Sequence, residues 1–168
     1  MLEADRLKYG YRRMTWTDFG AGILFGMAGF VANRFNLSLF FNVDFLFGSI
    51  FSMFALLRFG PSAGLLAALI ASGCTWLQWH HPWAMVIFSA EALCVGWLVY
   101  RRRLELMTAV IFYWFTGGLV LIWLFYHLKM GFNPGATLLI TLKQGVNGIV
   151  NTLAAEALFL LSWRLDSR

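Results

Sequence analysis

Charge is scarce in this sequence. Only 12% of its 168 residues are Asp, Glu, Lys or Arg, 60% are hydrophobic, and the mean hydropathy is +0.70. A soluble domain carries about 25% charged residues, so a soluble globular fold is excluded. Cysteine is nearly absent too. Cys74 and Cys94 both lie inside apolar runs, with no CxxC or finger-type spacing; they read as small buried hydrophobes, and a disulfide framework is excluded. There is no P-loop, no GxGxxG turn, no HExxH and no Ser-His-Asp or paired-acid arrangement, so the reading is of a chain that is not an enzyme. Length excludes more. Six membrane helices of about 20 residues each take up roughly 120 residues, which leaves no room for a kinase or ATPase domain. The N-terminus mixes acids and bases in Met1-Leu2-Glu3-Ala4-Asp5-Arg6 ahead of the first apolar run, and no small-x-small cleavage site follows. The first helix is therefore expected to be retained as an anchor.

What is present is a series of apolar runs with basic ends. The spacing predicts helices over 16–33, 38–58, 61–78, 83–100, 106–126 and 137–163. The expected architecture is an all-α, polytopic six-transmembrane-helix bundle. Residues 1–14 form a cytoplasmic tail, 15–164 the membrane domain and 165–168 the start of a cytoplasmic extension. The first run carries a Gly22/Gly26 pair and the third two ridges, Ala63/Ala67/Ala71 and Gly64/Ala68/Ser72, which allow close backbone approach between membrane helices. The net charge of +5 and pI near 9.6 would suggest nucleic acid in a soluble protein. Here the basic residues sit at the ends of apolar runs, and the charge reads as topogenic. With the N-terminus in the cytoplasm, Arg6, Lys8, Arg12, Arg13, Arg58, Arg101, Arg102, Arg103, Arg164 and Arg168 fall inside, and only Arg34 and Lys129 fall in outer loops. That asymmetry places both termini in the cytoplasm, with Trp76, Trp79, Trp83, Tyr126 and Phe132 in an outer aromatic belt.

Ionisable residues within spans need a reason, since each costs at least about 2.5–3.5 kcal/mol at the helix centre on insertion scales. Counted at about 1.5 Å per residue from the outer ends of their helices, Asp44, Glu91 and Lys143 reach a common level in the outer third. Three readings are open: an outward-facing polar pocket, a structural ion pair, or placement at the interface with Lys143 snorkelling. On the sixth helix Lys143, Gln144, Asn147 and Asn151 fall within one 100° arc. Such a stripe must face protein or water rather than lipid, either as ligand contacts or as interhelical glue. Trp79 and His80 stand at the outer surface beside this level. His80, His81 and His127 show no ligand spacing, so no metal site is expected. Glu156 lies on another face near the inner end and is left out of the site.

The stretch from Asn42-Val43-Asp44-Phe45-Leu46-Phe47-Gly48 to Arg58-Phe59-Gly60-Pro61-Ser62-Ala63-Gly64 resembles the six-helix substrate-binding subunits of energy-coupling factor vitamin transporters. It is similar also to the membrane input domains of LytS-type sensor kinases, and the rod-shape protein MreD shares its size and pattern. With Ala71–Gly96, "WLFYHLKMG" and "LKQGVNGIVN", the chain over roughly 40–165 looks like the N-terminal membrane domain of certain bacterial sensor histidine kinases and diguanylate cyclases. The resemblance implies a sensory input module. A small ligand of unknown identity would bind an outward-facing pocket near Asp44, Glu91, Lys143 and Asn147, and the last helix would signal to a cytoplasmic kinase or cyclase output, in a homodimer. The alternatives are a transporter substrate-binding subunit, docking through small-residue faces, and an MreD-like scaffold without ligand. The cofactor is unknown, the expected partners are the bilayer, the ligand and the output domain, and no nucleic acid is expected.

Overall fold

The computed structural model describes residues 14–35, 37–38 and 44–166, with the backbone alone at 37, 38, 44 and 166. The described residues form six helices: α1 Trp16–Ala32, α2 Gly48–Phe59, α3 Pro61–Trp79, α4 Trp83–Arg102, α5 Leu106–Lys129 and α6 Pro134–Asp166. Three of them, α4, α5 and α6, are long and apolar enough to cross a membrane. α1 and α2 are shorter apolar helices. α3, with 19 residues, is built largely from Ala, Gly and Ser.

Local chemistry sets the ends. Thr15 caps α1 in a reciprocal box, its hydroxyl accepting from the Asp18 N–H while the Asp18 carboxylate accepts from the Thr15 N–H. α2 turns straight into α3 at Gly60, whose φ of 100° is open to glycine at little cost, and Pro61 opens α3 where no N–H is needed. His80 and Arg103 end α3 and α4 in the left-handed region. Within α5, Trp114–Gly118 and Trp123–Lys129 are π-helical.

The largest departure from expectation is at the second helix; the sixth also starts earlier than expected, at Pro134 rather than 137. The second helix, expected over 38–58, begins at Gly48. Ahead of it Leu37–Ser38 and Asp44–Phe45 pair antiparallel, Leu37 opposite Phe45 and Ser38 opposite Asp44. Asp44 is therefore not on a helix, and its expected depth, counted along one, does not hold. The reason lies in tertiary bonds that apolar periodicity does not show: the backbone at 46–48 is held by side chains of α1 and α6 (below).

The small-residue patterns are used within the chain. A side chain added at Gly22 would meet Leu66 and Ala63, and one at Gly26 would meet Ile70 Cβ at 2.8 Å and Ala67. The glycine face of α1 thus sits on the alanine ridge of α3, and Ala63, Ala67 and Ala71 are buried there. Gly26→Val is expected to lower unfolding stability by about 1–3 kcal/mol in a detergent thermal or chemical melt. Gly20, where an added side chain meets nothing within 4 Å, is expected to tolerate the same change. Equal effects at both positions would refute this α1–α3 contact.

A set of polar residues is buried within the apolar core, while large apolar side chains cover the outside. Asn33, Glu91, Gln144, Asn147, Asn151 and Thr152 are buried, whereas Leu24, Leu77, Leu93, Phe115, Leu128 and Leu142 are each more than half exposed. Exposed apolar surface on this scale in a soluble monomer would be an aggregation hazard. Around a membrane bundle it is the lipid-facing surface, and interior polar groups are expected where helices hydrogen-bond to one another.

Candidate functional site

The site is a junction of α4, α5 and α6, with the start of α2 beside it. Glu91 projects from the middle of α4 and is 1% exposed. Its Oε1 accepts from the Trp114 indole N–H of α5 at 2.6 Å. Ser49, in the first turn of α2, stands beside the carboxyl, yet Oε2 has no hydrogen-bond partner. One turn earlier on α4, the Ile87 carbonyl accepts from the Tyr113 hydroxyl at 2.6 Å. Consecutive residues of α5 therefore bond to α4 one turn apart, and the π-helical turn of α5 starts at Trp114. π-Turns inside α-helices are frequent at functional sites.

Trp114 also determines how close α6 can come. A side chain added at Gly148 would strike the Trp114 indole, and Gly145 lies against the same residue. The indole is thus set between the Glu91 carboxyl and a glycine of α6. Phe88 and Tyr113 meet it edge-on, with centroids 6.2 and 5.2 Å away, an arrangement favoured by the ring quadrupoles.

The polar stripe of α6 is buried as expected, and two of its members act on backbone. The Leu46 N–H donates to Asn147 Oδ1 at 3.2 Å, and the Asn151 Nδ2 donates to the Leu46 carbonyl at 2.7 Å. Two asparagines one turn apart thereby imitate a strand partner for the non-helical residue leading into α2. Asn33 completes the grip: its Oδ1 accepts from the Gly48 N–H at 2.7 Å and its Nδ2 donates to the Ala71 carbonyl at 3.0 Å. α2 has no side-chain cap of its own, so Asn33, from the end of α1, caps it from a distance. Gly48 lacks a side chain because Asn33 fills that space. Gln144 is buried with its Oε1 unpartnered, as are Asn147 Nδ2 and Asn151 Oδ1. Lys143 is half-buried on α6. The Asp44 side chain lies outside the described residues.

No protein-family model matches the chain, and no curated protein and no solved structure matches it. The chemistry of the site therefore rests on its own geometry.

Of the sequence-predicted residues, Asn147 and Asn151 come together on Leu46, and Glu91 reaches α6 through Trp114. Trp79 and His80 belong to another place, the turn after α3. His80 is exposed, and Trp79 is half-buried with its ring 6.1 Å from that of His81. There His81 packs on Tyr126, Trp83 stacks on Phe125 at 4.6 Å, and Lys129 Nζ lies 4.9 Å from the centre of the Trp83 ring. Burial holds the His81 imidazole below its ordinary range. Among the described residues no three His, Cys, Asp or Glu gather as a metal set. Beside the junction, Asn33, Ser49, Ser52, Ser72, Leu46 and Phe88 line a cavity of about 10 Å³. That is room for about one water, which needs roughly 10–15 Å³, and no more.

Sequence reasoning misses Trp114, Asn33 and Leu46 as parts of the site. Trp114 is embedded in an apolar run, and Asn33 reads as a helix end. The signal in the sequence is Gly145 and Gly148 within a polar stripe, which marks a place where a neighbour comes close without naming it.

Proposed function

We propose that the chain is a membrane-embedded sensory input module of a bacterial cytoplasmic membrane, crossing it six times with both ends in the cytoplasm. The state of the Glu91–Trp114 junction would pass along α6 to a kinase or cyclase output, in a homodimer. The observation that carries this reading is the buried Glu91 carboxyl, held by one indole N–H while its second oxygen has no partner. A carboxyl so poorly satisfied at membrane depth is costly, and such residues mark functional positions by default. A small ligand entering near Glu91, Lys143 and Gln144 would compete for that oxygen and release Trp114 from its seat on Gly148. To signal, it must bind the released arrangement more tightly than the closed one.

The topology has its own support. The Tyr100 hydroxyl donates to the Leu56 carbonyl, and Gly96 lies against Pro61, so the α2–α3 turn packs beside the last turns of α4. Arg58 thus stands at the same end as Arg101, Arg102 and Arg103. Arg34 and Lys129 fall in the connections at the opposite end. The arginine-rich end is the cytoplasmic one under the charge rule for short loops.

A scaffold without ligand, of the MreD-like kind, is the second reading. It is favoured by the water-sized cavity and by asparagines already bonded to backbone. The transporter-subunit reading loses support, because the small-residue faces of α1 and α3 cover each other. Fusing the chain at its C-terminus to a diguanylate cyclase catalytic domain tests the proposal. Trp114→Phe, which keeps an aromatic ring at the position but removes the N–H and one ring of the indole, is expected to change cyclase output several-fold at equal expression. Unchanged output in membranes that contain folded protein would favour the scaffold.

A further inference from the structure

α4 carries a second feature that the junction does not use. On its outward face Leu93 is 60% and Trp97 49% exposed. Arg101 continues the same i, i+4 ridge, about 12 Å along the helix from Leu93. Arg102 places its guanidinium 4.8 Å from the centre of the Trp97 ring. Arg103, with φ 62°, ends the helix in the left-handed region, so the chain reverses and three consecutive arginines spread around one helix end. All three are exposed. The nearest acid along the chain is Glu105, exposed at the start of α5. α2 ends beside them with Arg58.

We infer that the Leu93–Trp97–Arg101–Arg102 ridge is a binding site for an anionic phospholipid, its acyl chain lying along Leu93 and Trp97 and its phosphate held by Arg101 and Arg102. The chemistry selects this occupant. A lipid-facing apolar strip ending in guanidinium groups matches an amphiphile with an acidic head. Guanidinium forks match phosphate oxygens two at a time. A tryptophan at the boundary lies at headgroup level, and its ring, already under Arg102, keeps that side chain directed along the ridge. A zwitterionic headgroup brings its own cation to the arginines and gains less. The inference rests on the membrane reading of α4 and not on the sensory proposal; it stands whether the chain senses or supports.

The test is lipid retention by the full chain, purified in detergent, incubated with phosphatidylglycerol or with phosphatidylcholine of the same acyl chains, and read by native mass spectrometry and thermal melting. Phosphatidylglycerol is expected to be retained at least about tenfold better than phosphatidylcholine and to raise the melting temperature; tenfold is the loss expected when one charge-assisted contact goes. Arg101→Gln with Arg102→Gln is expected to abolish that preference, while Arg101→Lys with Arg102→Lys keeps part of it. Arg34→Gln, at the opposite end, is expected to leave it intact, and circular dichroism establishes that each variant is folded. Inorganic phosphate is expected to give no melting shift. Equal retention of the two lipids, an undiminished preference in the folded double Gln variant, or a phosphate shift as large as the lipid's would each overturn the proposal.

Discussion

Gly148→Leu is expected to destabilise the bundle by about 3–5 kcal/mol. The added side chain must occupy the space of the Trp114 indole. Overpacking of a tight contact costs about 1–3 kcal/mol, and here the displaced ring is also the hydrogen-bond donor to Glu91. Moving it takes that donor from the buried carboxyl, at about 1–3 kcal/mol, and the two costs together centre on the expected loss. The measurement is a reversible unfolding titration in mixed micelles. Gly145→Ala is the control, since its new Cβ would lie 3.9 Å from Trp114 Cβ, an ordinary contact; it is expected to be close to neutral. Trp114→Phe isolates the donor from the crowding: it adds no bulk and removes the N–H together with one ring of the indole, with an expected loss of at least about 1–3 kcal/mol. A Gly148→Leu variant as stable as Gly145→Ala would remove the indole from the interior.

The second large effect is expected from Asn147→Leu combined with Asn151→Leu. Each asparagine satisfies one backbone group of Leu46. Replacing both leaves a buried N–H and a buried C=O unpaired, at about 1–3 kcal/mol each. Hydrogen exchange of the Leu46 amide reports this directly. It is expected to be strongly protected in the parent chain, less so in Asn147→Leu, and to remain protected in Asn151→Leu, where only the carbonyl partner is lost. Similar exchange at Leu46 in all variants would contradict the clamp.

These two junctions show how far the sequence can be read. Helix positions follow from apolar runs and their breakers: Pro61 and the Arg101–Arg103 end are visible as spacing, whereas Pro134, expected in the loop before a helix at 137, opens α6 itself. The polar stripe is visible too, because four polar residues within 100° of arc on an apolar helix cannot be left facing lipid. What the stripe holds is not visible. Asn147 and Asn151 bond to a residue about a hundred positions earlier, and a single sequence carries no signal for such a pairing. Asp44 falls on the wrong element for the same reason. Apolar periodicity runs smoothly from 38 to 58, and only the grip of Asn33 on Gly48 and of α6 on Leu46 makes the helix start where it does. Glu91 stands out as an acid in a span. Its partner, an indole rather than Lys143, is not to be found from charge complementarity, which looks for cations.

The central claim is that the polar face of α6 is packed against protein while its leucines and valines meet lipid. Nitroxide labels introduced one at a time along α6 at 142, 144, 146, 147, 150, 151 and 153, in a chain reconstituted in bilayers, measure this through relaxation by oxygen, which concentrates in lipid, and by a water-soluble nickel chelate. Oxygen accessibility is expected to peak at 142, 146, 150 and 153 and to fall at 144, 147 and 151, with the nickel reagent excluded from all seven. Strong nickel relaxation at 144, 147 and 151 would mean that the stripe lines open water, and the packed junction described for Glu91, Trp114 and Gly148 would be wrong.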